Sequence, residues 1–381
     1  MDIKNLVKNL NFKDLNNYIM DGIGNIVQKM NPPSILPLID IGSHNCKILK
    51  GKYQLDGKWN LDLYREIPAP EEMVMSHLLP QYHYDNTNFR LILSFFRDEY
   101  LKKESYIQLV LPDSAFNINV MKVSNVLMRE SPINAIRKEL ALVLPFKINQ
   151  YIINYFVLDQ QELFTEVVAL SYLRNNLRDL VRLFQAEGLF PLRIECSIFN
   201  VINSFKFFLE NEEQEDENIA ILHFSHESNL LTIFKNGKLM SLQRLGLGSD
   251  FLINALQKGL KINRKKAVES LYESHILSAE YTKEQEQNPY FQAIREPLLK
   301  QLEAIFDFFE EYLSRSREEK LDKILISGGL ANMKNFHFLL ENNFKIPVYR
   351  LSDIVKVQQA NEVVEANLIN SASPLLGMLV A

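Results

Sequence analysis

Two short stretches of this sequence carry residues whose types and spacing suit phosphate chemistry. In Ile39-Asp40-Ile41-Gly42-Ser43-His44-Asn45-Cys46-Lys47, an apolar strand ends in an acid and runs into Gly-Ser. A tight glycine turn lets backbone N–H groups and a hydroxyl approach a phosphate. A carboxylate at Asp40 is of the kind that holds Mg²⁺ through water. The second stretch, Ile324-Leu325-Ile326-Ser327-Gly328-Gly329-Leu330-Ala331-Asn332, is another apolar strand, closed by a glycine pair. Adjacent glycines after a buried strand admit a flat ligand such as a purine. Taken alone, the first stretch is more often a hairpin turn after a core strand, and the second reads equally as a turn into a helix. Their order and separation are what inform. His44, His223 and His226 suggest a metal cluster, but neither a cysteine nor a regular ligand spacing accompanies them, and they read better as loop histidines.

The elements that must position these residues come from an ordinary soluble composition. The chain has 381 residues, 47% hydrophobic and 23% charged, with 42 Lys plus Arg against 47 Asp plus Glu for a net charge of −5. Its length suggests two or three domains with room for a large core. The acidic balance argues against bulk binding to nucleic acid. No apolar run reaches the 18 or more residues of a transmembrane helix, and the N-terminus lacks the apolar core of a secretory signal. Two cysteines, Cys46 and Cys196, lie far apart in apolar contexts, which fits a reducing cytoplasm rather than a disulfide framework.

Residues 1–34 are expected to form an amphipathic helical arm. Ile3, Leu6, Val7 and Leu10, then Leu15, Tyr18, Ile19, Ile23, Ile26, Val27 and Met30, fall at helical spacing. A membrane-surface or partner helix and an arm packed on its own domain remain equal readings. Asn31-Pro32-Pro33-Ser34 ends this segment. Strands then alternate with helices. A meander is expected over Leu36–Tyr64, a helix over Phe89–Leu101, and strands over Tyr106–Leu111 and Ala115–Val123. A helix follows over Ile133–Leu144, strands over Tyr151–Leu158 and Phe164–Ser171, and a helix over Leu173–Glu187 capped by Gly188. After the acidic run Glu210–Glu217, strand Asn218–His223 leads into a hairpin turning at Asn236-Gly237. Helices are expected at Phe251–Lys258, Arg264–Tyr272 and Pro289–Arg315. Strand Lys323–Ser327, helix Asn335–Asn343, strand Pro347–Leu351 and one terminal helix over Ala366–Val380 complete the chain. A strand–turn–strand–hairpin unit thus occurs twice, near residues 38 and 219, and two similar α/β halves usually enclose a ligand.

From about residue 35 to 381 the sequence resembles the PilM family, the cytoplasmic actin-like proteins of type IV pilus assembly within the actin, FtsA and chaperone-ATPase superfamily. Ile39–Lys47 is similar to that family's first phosphate loop. Glu139 and Pro145-Phe146 match a recurring segment, and Ala186-Glu187-Gly188-Leu189-Phe190-Pro191 resembles a family turn. Leu230–Arg244 resembles the second phosphate hairpin, Ser327-Gly328-Gly329 through Asn332 the adenosine motif, and Ile346-Pro347-Val348 the strand after it. Leu376-Gly377-Met378-Leu379 is similar to the terminal helix. The resemblance implies an α/β, actin-like (ribonuclease H-like, duplicated) fold with two halves around a nucleotide cleft and an inserted small α+β subdomain. The expected bounds are an arm at 1–34, a first actin-like subdomain at 35–105 with 190–217 and 366–381, an inserted partner-binding subdomain at 106–189, and a second half at 218–365.

Departures from the pattern govern the expected chemistry. Where the superfamily's second phosphate loop has Asp and then Gly, this chain has His223 and Ser225. A neutral imidazole does not replace a carboxylate that organises Mg²⁺-bound water, and Ser225 adds a Cβ where backbone meets phosphate. The later glycine pair is Gly248-Ser249. The helix that supplies an acid and a lysine to the ribose aligns with Lys265–Tyr272, with Val268 and Leu271 at those places. Glu195 stands where relatives place the residue that orients the attacking water, a remnant role if the metal is missing. The resemblance therefore implies cofactor contacts at Asp40, Gly42, Ser43, His44, Asn45, Lys47, Ser225, Gly248, Gly328 and Gly329, with Mg²⁺ held through water by Asp40 if a nucleotide binds. ATP and Mg²⁺ binding is expected to be weak or absent, with little or no hydrolysis, and the histidines to fill a disused phosphate pocket.

The leading expectation is a scaffold, cytoplasmic and peripheral to the inner membrane. It would bind the cytoplasmic tail of a bitopic, PilN-like inner-membrane protein on the inserted subdomain and meet other pilus motor components. It would have no nucleic-acid partner, and residues 1–30 would add a peripheral membrane contact. Three alternatives stand beside it: an active ATPase with a second loop rebuilt from Ser225, Glu227 and Ser228, a relative of the type II secretion protein GspL, and a sugar or acetate kinase. A GspL-like chain is expected to continue into a transmembrane helix. A kinase is expected to show a sugar-binding acid.

Overall fold

The computed structural model describes residues 35–54, 57–69, 87–102, 104–209, 217–280, 282–316, 320–359 and 362–380. The expected arm at 1–34 and all but the last residue of the acidic run lie outside the described residues. The chain divides into two compact units. Of the described residues, the first holds Ile35–Gln54, Trp59–Asn200 and Gly377–Val380, and the second holds Val201–Leu376.

In the first unit, strands β1 (Leu38–Ile41), β2 (Asn45–Tyr53) and β3 (Lys58–Pro68) form an antiparallel meander. Helix α1 (Thr87–Phe95) widens into a π-helical turn over Phe96–Leu101. Strand β4 (Tyr106–Leu111) lies parallel beside β1. The chain then leaves this sheet through β5 (Asn117–Ser124), α2 (Asn125–Glu130), α3 (Pro132–Val143), β6 (Tyr151–Gln160), β7 (Phe164–Leu173) and α4 (Arg174–Ala186). Gly188, at φ +76°, reverses the backbone after α4, and β8 (Phe190–Cys196) returns parallel to β4. Helices α5 (Ser197–Ser204) and α6 (Lys206–Leu209) follow.

The excursion between β4 and β8 has its own core. Its three strands run in the order β5-β7-β6, all antiparallel, with the apolar strand β7 in the centre. Helix α3 begins with Pro132, whose fixed φ suits a first helical position, and stops before Leu144-Pro145. Its Ile136 and Leu140, one turn apart, bury against Val123, Tyr151 and Val167. Buried Asn125 donates to the carbonyls of Gln161 (2.7 Å) and Glu162 (3.0 Å) and accepts from Thr165 (2.6 Å), tying the β6–β7 turn to α2.

The second unit repeats the meander with β9 (Asn218–Phe224), β10 (Asn229–Lys235) and β11 (Lys238–Leu245). Asn236 and Gly237 turn the hairpin at φ +51° and +66°, as a two-residue type I′ loop requires. Helices α7 (Ser249–Leu260), α8 (Arg264–Glu273), α9 (Lys283–Gln287) and the long α10 (Pro289–Ser316) precede β12 (Lys323–Gly328). Then come α11 (Phe336–Phe344), β13 (Val348–Arg350), α12 (Leu351–Ile354), the pair β14 (Lys356–Gln359) and β15 (Glu362–Val363), α13 (Ala366–Ser371) and α14 (Ser373–Val380). Leu222, Leu231, Leu252, Leu256, Ile305 and Ile326 join one core under this sheet.

The two meanders share one strand plan. The first unit runs β3-β2-β1-β4-β8 and the second β11-β10-β9-β12-β13. In each, the first strand has an antiparallel neighbour on one side and a parallel one on the other.

One expectation is corrected. Ala366–Val380 is two helices, α13 and α14, because Pro374 lacks the N–H that one continuous helix would need there. The segment from Phe190, to which the sequence pattern assigns no element, holds β8, followed by α5. Pro191 fits there because a strand can shift register around it; the β4–β8 pairing slips between Ile107 and Gln108, opposite this residue.

Candidate functional site

The first unit gathers charge at the end of its central strands. Antiparallel register sets Asp40 opposite Lys47 and Lys47 opposite Glu66, while parallel register sets Asp40 beside Val110 and Val110 beside Glu195. Register partners point to the same face, so Glu66, Lys47, Asp40 and Glu195 share one row. The Lys47 ammonium donates to Asp40 Oδ2 at 3.0 Å, with side chains 14% and 7% exposed. Burial works against the Lys47 charge, but the carboxylates of Asp40 and Glu66 outweigh it and hold the group above its usual 10.5. Burial, helped by Asp40, pushes the Cys46 thiol up to about 12, so it is not a thiolate nucleophile. Glu66 accepts from Tyr64 at 3.0 Å and from the Asn45 amide.

The β1–β2 turn is tight. Gly42 N–H donates to the Asn45 carbonyl at 3.1 Å, and a Cβ at Gly42 would lie 2.6 Å from that oxygen. The turn therefore needs a residue without a side chain. Ser43 and His44 occupy its tip, half-buried. Glu195, next to last in β8, is buried; burial raises its carboxyl above the usual range, against the pull of Arg193 and Asn200.

The second unit places other chemistry at the corresponding position. His223 is the next-to-last residue of β9, as Asp40 is of β1, and it lies opposite Leu230 where Asp40 lies opposite Lys47. Its imidazole is buried. Nδ1 sits 3.0 Å from Ser327 Oγ and 3.3 Å from Ser373 Oγ. Ser327 is its register partner on β12.

The β9–β10 turn is closed on itself. Ser225 Oγ donates to the Ser228 carbonyl at 2.6 Å and Ser225 N–H to the same oxygen at 3.1 Å. The amides that open α7 point into this turn: Gly248, Ser249 and Asp250 N–H donate to the carbonyls of Glu227 (3.3 Å), Ser225 (3.0 Å) and His226 (2.9 Å). A Cβ at Gly248 would clash with the His226 carbonyl, so the glycine serves this contact. His226 Nδ1 lies 3.1 Å from Ser249 Oγ. Arg264 Nη2 donates to His226 Nε2 at 3.0 Å and to Asp250 Oδ1 at 2.5 Å.

Gly328 has φ +87°, and a Cβ there would clash with the Phe224 carbonyl; a Cβ at Gly329 would meet the Tyr272 hydroxyl at 3.0 Å. Tyr272 belongs to α8, the helix expected at the ribose, whose Leu271 is buried in the core.

The donors match a metal–nucleotide ligand unevenly. Asp40, Gly42, Ser43 and Lys47 in the first unit suit an anion with a water-held cation beside it. In the second unit, the corresponding position holds an imidazole within hydrogen-bond reach of two hydroxyls and brings no carboxylate for a water-held cation. Among the described residues, no three His, Cys, Asp or Glu side chains come together to hold a metal ion. Glu66, Asp250, Arg264 and Tyr272 were missed from sequence. Only the Asn-Gly hairpin signal was local, and these four are placed by register or packing.

Comparison with known proteins follows from this geometry. A family described as "Type IV pilus assembly protein PilM" matches residues 38–379. A solved PilM-PilN type IV pilus biogenesis complex is similar over 92% of this chain and 98% of its own, at 15% identity and a TM-score of 0.72. The ethanolamine utilization protein EutJ from Carboxydothermus hydrogenoformans is similar over 97% of this chain and 99% of its own, at 10% identity and a TM-score of 0.51. At these identities the structural likenesses show the fold, which is the actin-like α/β fold. No curated protein matches the sequence. No described helix is long and apolar enough to cross a membrane.

Proposed function

The chain belongs to the PilM family of type IV pilus assembly proteins, and from that premise we propose that it acts as a scaffold rather than as an ATPase. It binds the cytoplasmic tail of a bitopic inner-membrane protein of the PilN kind, named in the related complex, and so works at the cytoplasmic face of the inner membrane. The excursion between β4 and β8 takes the tail. Its edge strand β5 offers a free ladder side, with Val120 41% exposed, which suits strand addition. A groove of about 500 Å³ on the same excursion, lined by Leu127, Glu130, Asn134, Arg137, Lys138 and Ile148, suits side-chain capture.

Nucleotide binding is weak, through Asp40, Gly42, Ser43 and Lys47 of the first unit, and hydrolysis is absent. One observation carries this: His223 lies buried against Ser327 and Ser373 where the second carboxylate would stand. Phosphoryl transfer depends on charge neutralisation by the whole constellation, and a neutral imidazole cannot organise metal-bound water. Calorimetric titration with ATP and Mg²⁺, repeated with Asp40→Ala, tests the nucleotide reading. Weak binding lost in the variant, with no phosphate released, is the expected result; turnover by the wild type would overturn it. A PilN-type tail peptide titrated against the full chain tests the scaffold, and an unaffected titration with Arg137→Glu and Val120→Glu would move the site elsewhere.

A further inference from the structure

We infer that the corner between α7 and α8 is a docking surface for an anionic lipid bilayer. Over Lys258–Lys266 the chain carries Lys258, Lys261, Arg264, Lys265 and Lys266, and from Phe251 to Val268 it holds no Asp or Glu. The four lysines are exposed. None has a carboxylate partner among the described residues. The fifth cation, Arg264, is set apart, because Asp250 and His226 hold its guanidinium. A chain whose overall charge is −5 thus presents four lysines at one corner without an ion-pair partner among the described residues.

The lysines are not there for the helices they sit on. Lys258 and Lys261 suit the end of α7, but Lys265 and Lys266 lie in the first turn of α8, which has no acid. Cations at a helix N-terminus oppose the macrodipole, and a choice that works against local stability points to a partner that offsets it. Neighbouring acids do not neutralise the corner. Glu269, one turn along α8 from Lys265, is the first acid after the patch. Helix α10 packs on α7 where Gly259 meets Ala293, and its Glu296 is spent on Lys300 at 2.7 Å.

The chemistry of the patch selects the occupant. Lysine ammoniums on long flexible stems are point charges without the bidentate fork that reads a fixed carboxylate or phosphate. The patch holds no aromatic residue for stacking bases. Leu260 and Ile262, the apolar residues within it, are partly buried against the core, so nothing inserts into lipid. A cluster of exposed lysines spread over nine residues matches a diffuse negative surface. Each lysine near such a surface is worth about 1 kcal/mol, roughly fivefold in binding, so four amount to several hundredfold.

The test is flotation of the full chain with vesicles. Phosphatidylcholine vesicles containing phosphatidylglycerol are expected to capture the protein, and vesicles of phosphatidylcholine alone are not; capture should fall as salt rises. The variant Lys258→Gln, Lys261→Asn, Lys265→Gln and Lys266→Gln should lose at least about 100-fold. Asn at 261 tolerates the left-handed backbone there, at φ +53°. If the fourfold variant does not fold by circular dichroism, Lys258→Gln and Lys266→Gln are read singly, each with a roughly fivefold loss. Wild-type protein left unbound by anionic vesicles at low salt overturns the inference and leaves an acidic protein as the occupant. Equal capture of wild type and variant also overturns it and assigns membrane contact elsewhere. The inference goes beyond tail binding: the fourfold variant should still bind the tail peptide, so failure of that peptide titration counts only against the scaffold reading.

Discussion

Replacing Lys47 with methionine keeps the length of the stem and removes the cation that balances Asp40. The charges lie 3.0 Å apart with side chains 14% and 7% exposed. At that distance and an effective dielectric of about 20, their attraction is roughly 5 kcal/mol. Desolvation of two ions returns much of this, so the pair itself is worth far less. Breaking it is another matter, because a buried charge left without its partner costs about 3–5 kcal/mol. Glu66, the second carboxylate facing Lys47, loses its cation as well, but it is exposed and water takes over, so the buried Asp40 sets the size of the loss. Lys47→Met combined with Asp40→Asn removes both charges and should recover about 2 kcal/mol of the loss. Urea unfolding of the four proteins of the cycle, followed by circular dichroism, reads these differences directly. The pH dependence has a fixed sign. The Lys47 pKa is raised in the folded state, so its contribution is complete below the unfolded value near 10.5 and is lost as pH rises through the folded value above that. The wild type should therefore lose stability in that alkaline window and Lys47→Met should not. A single-variant loss under about 1 kcal/mol, the range of exposed ion pairs, or additive effects around the cycle, would refute the reasoning.

Gly328→Ala forces a left-handed residue to carry a Cβ that clashes with the Phe224 carbonyl. It should cost at least about 2 kcal/mol in urea unfolding, strain and clash together, while Gly246→Ala, with open space around it, should stay within about 0.5 kcal/mol. Glu195→Gln tests a buried acid whose pKa is raised above 4.5, chiefly by burial. Below 4.5 both states hold the proton. As pH rises past it, the unfolded chain ionises first and the folded wild type loses stability, so the variant should gain on the wild type between pH 4 and neutrality; a difference that stays flat with pH would show that Glu195 ionises as an ordinary surface carboxylate.

Much of the local architecture is legible in contiguous residues. The Asn236-Gly237 turn, the β10–β11 hairpin, α3 bounded by Pro132 and Pro145, and the long α10 follow from turn chemistry and apolar period. The family is legible too, since several modest motifs occur in the right order over residues 38–379. Strand β8 was not, because Pro191, Arg193 and Glu195 disguise a strand whose burial comes from its neighbours. The break between α13 and α14 was hidden by an apolar run that continues through it, although Pro374 marked it.

The sequence by itself determined most of the strands, the tight Gly42 turn and the presence of His223 at the end of its strand, because each depends on residues adjacent in the chain. Only the tertiary structure decided what those residues touch. His223 meets Ser327 and Ser373, up to 150 residues away. Lys47 faces both Asp40 and Glu66 because two strand registers converge on it. Arg264 leaves the lysine cluster to bind Asp250 and His226, and so the patch beside it is lysine alone. Register between strands and packing between helices are set by the shape of the whole core, and no local spacing encodes them.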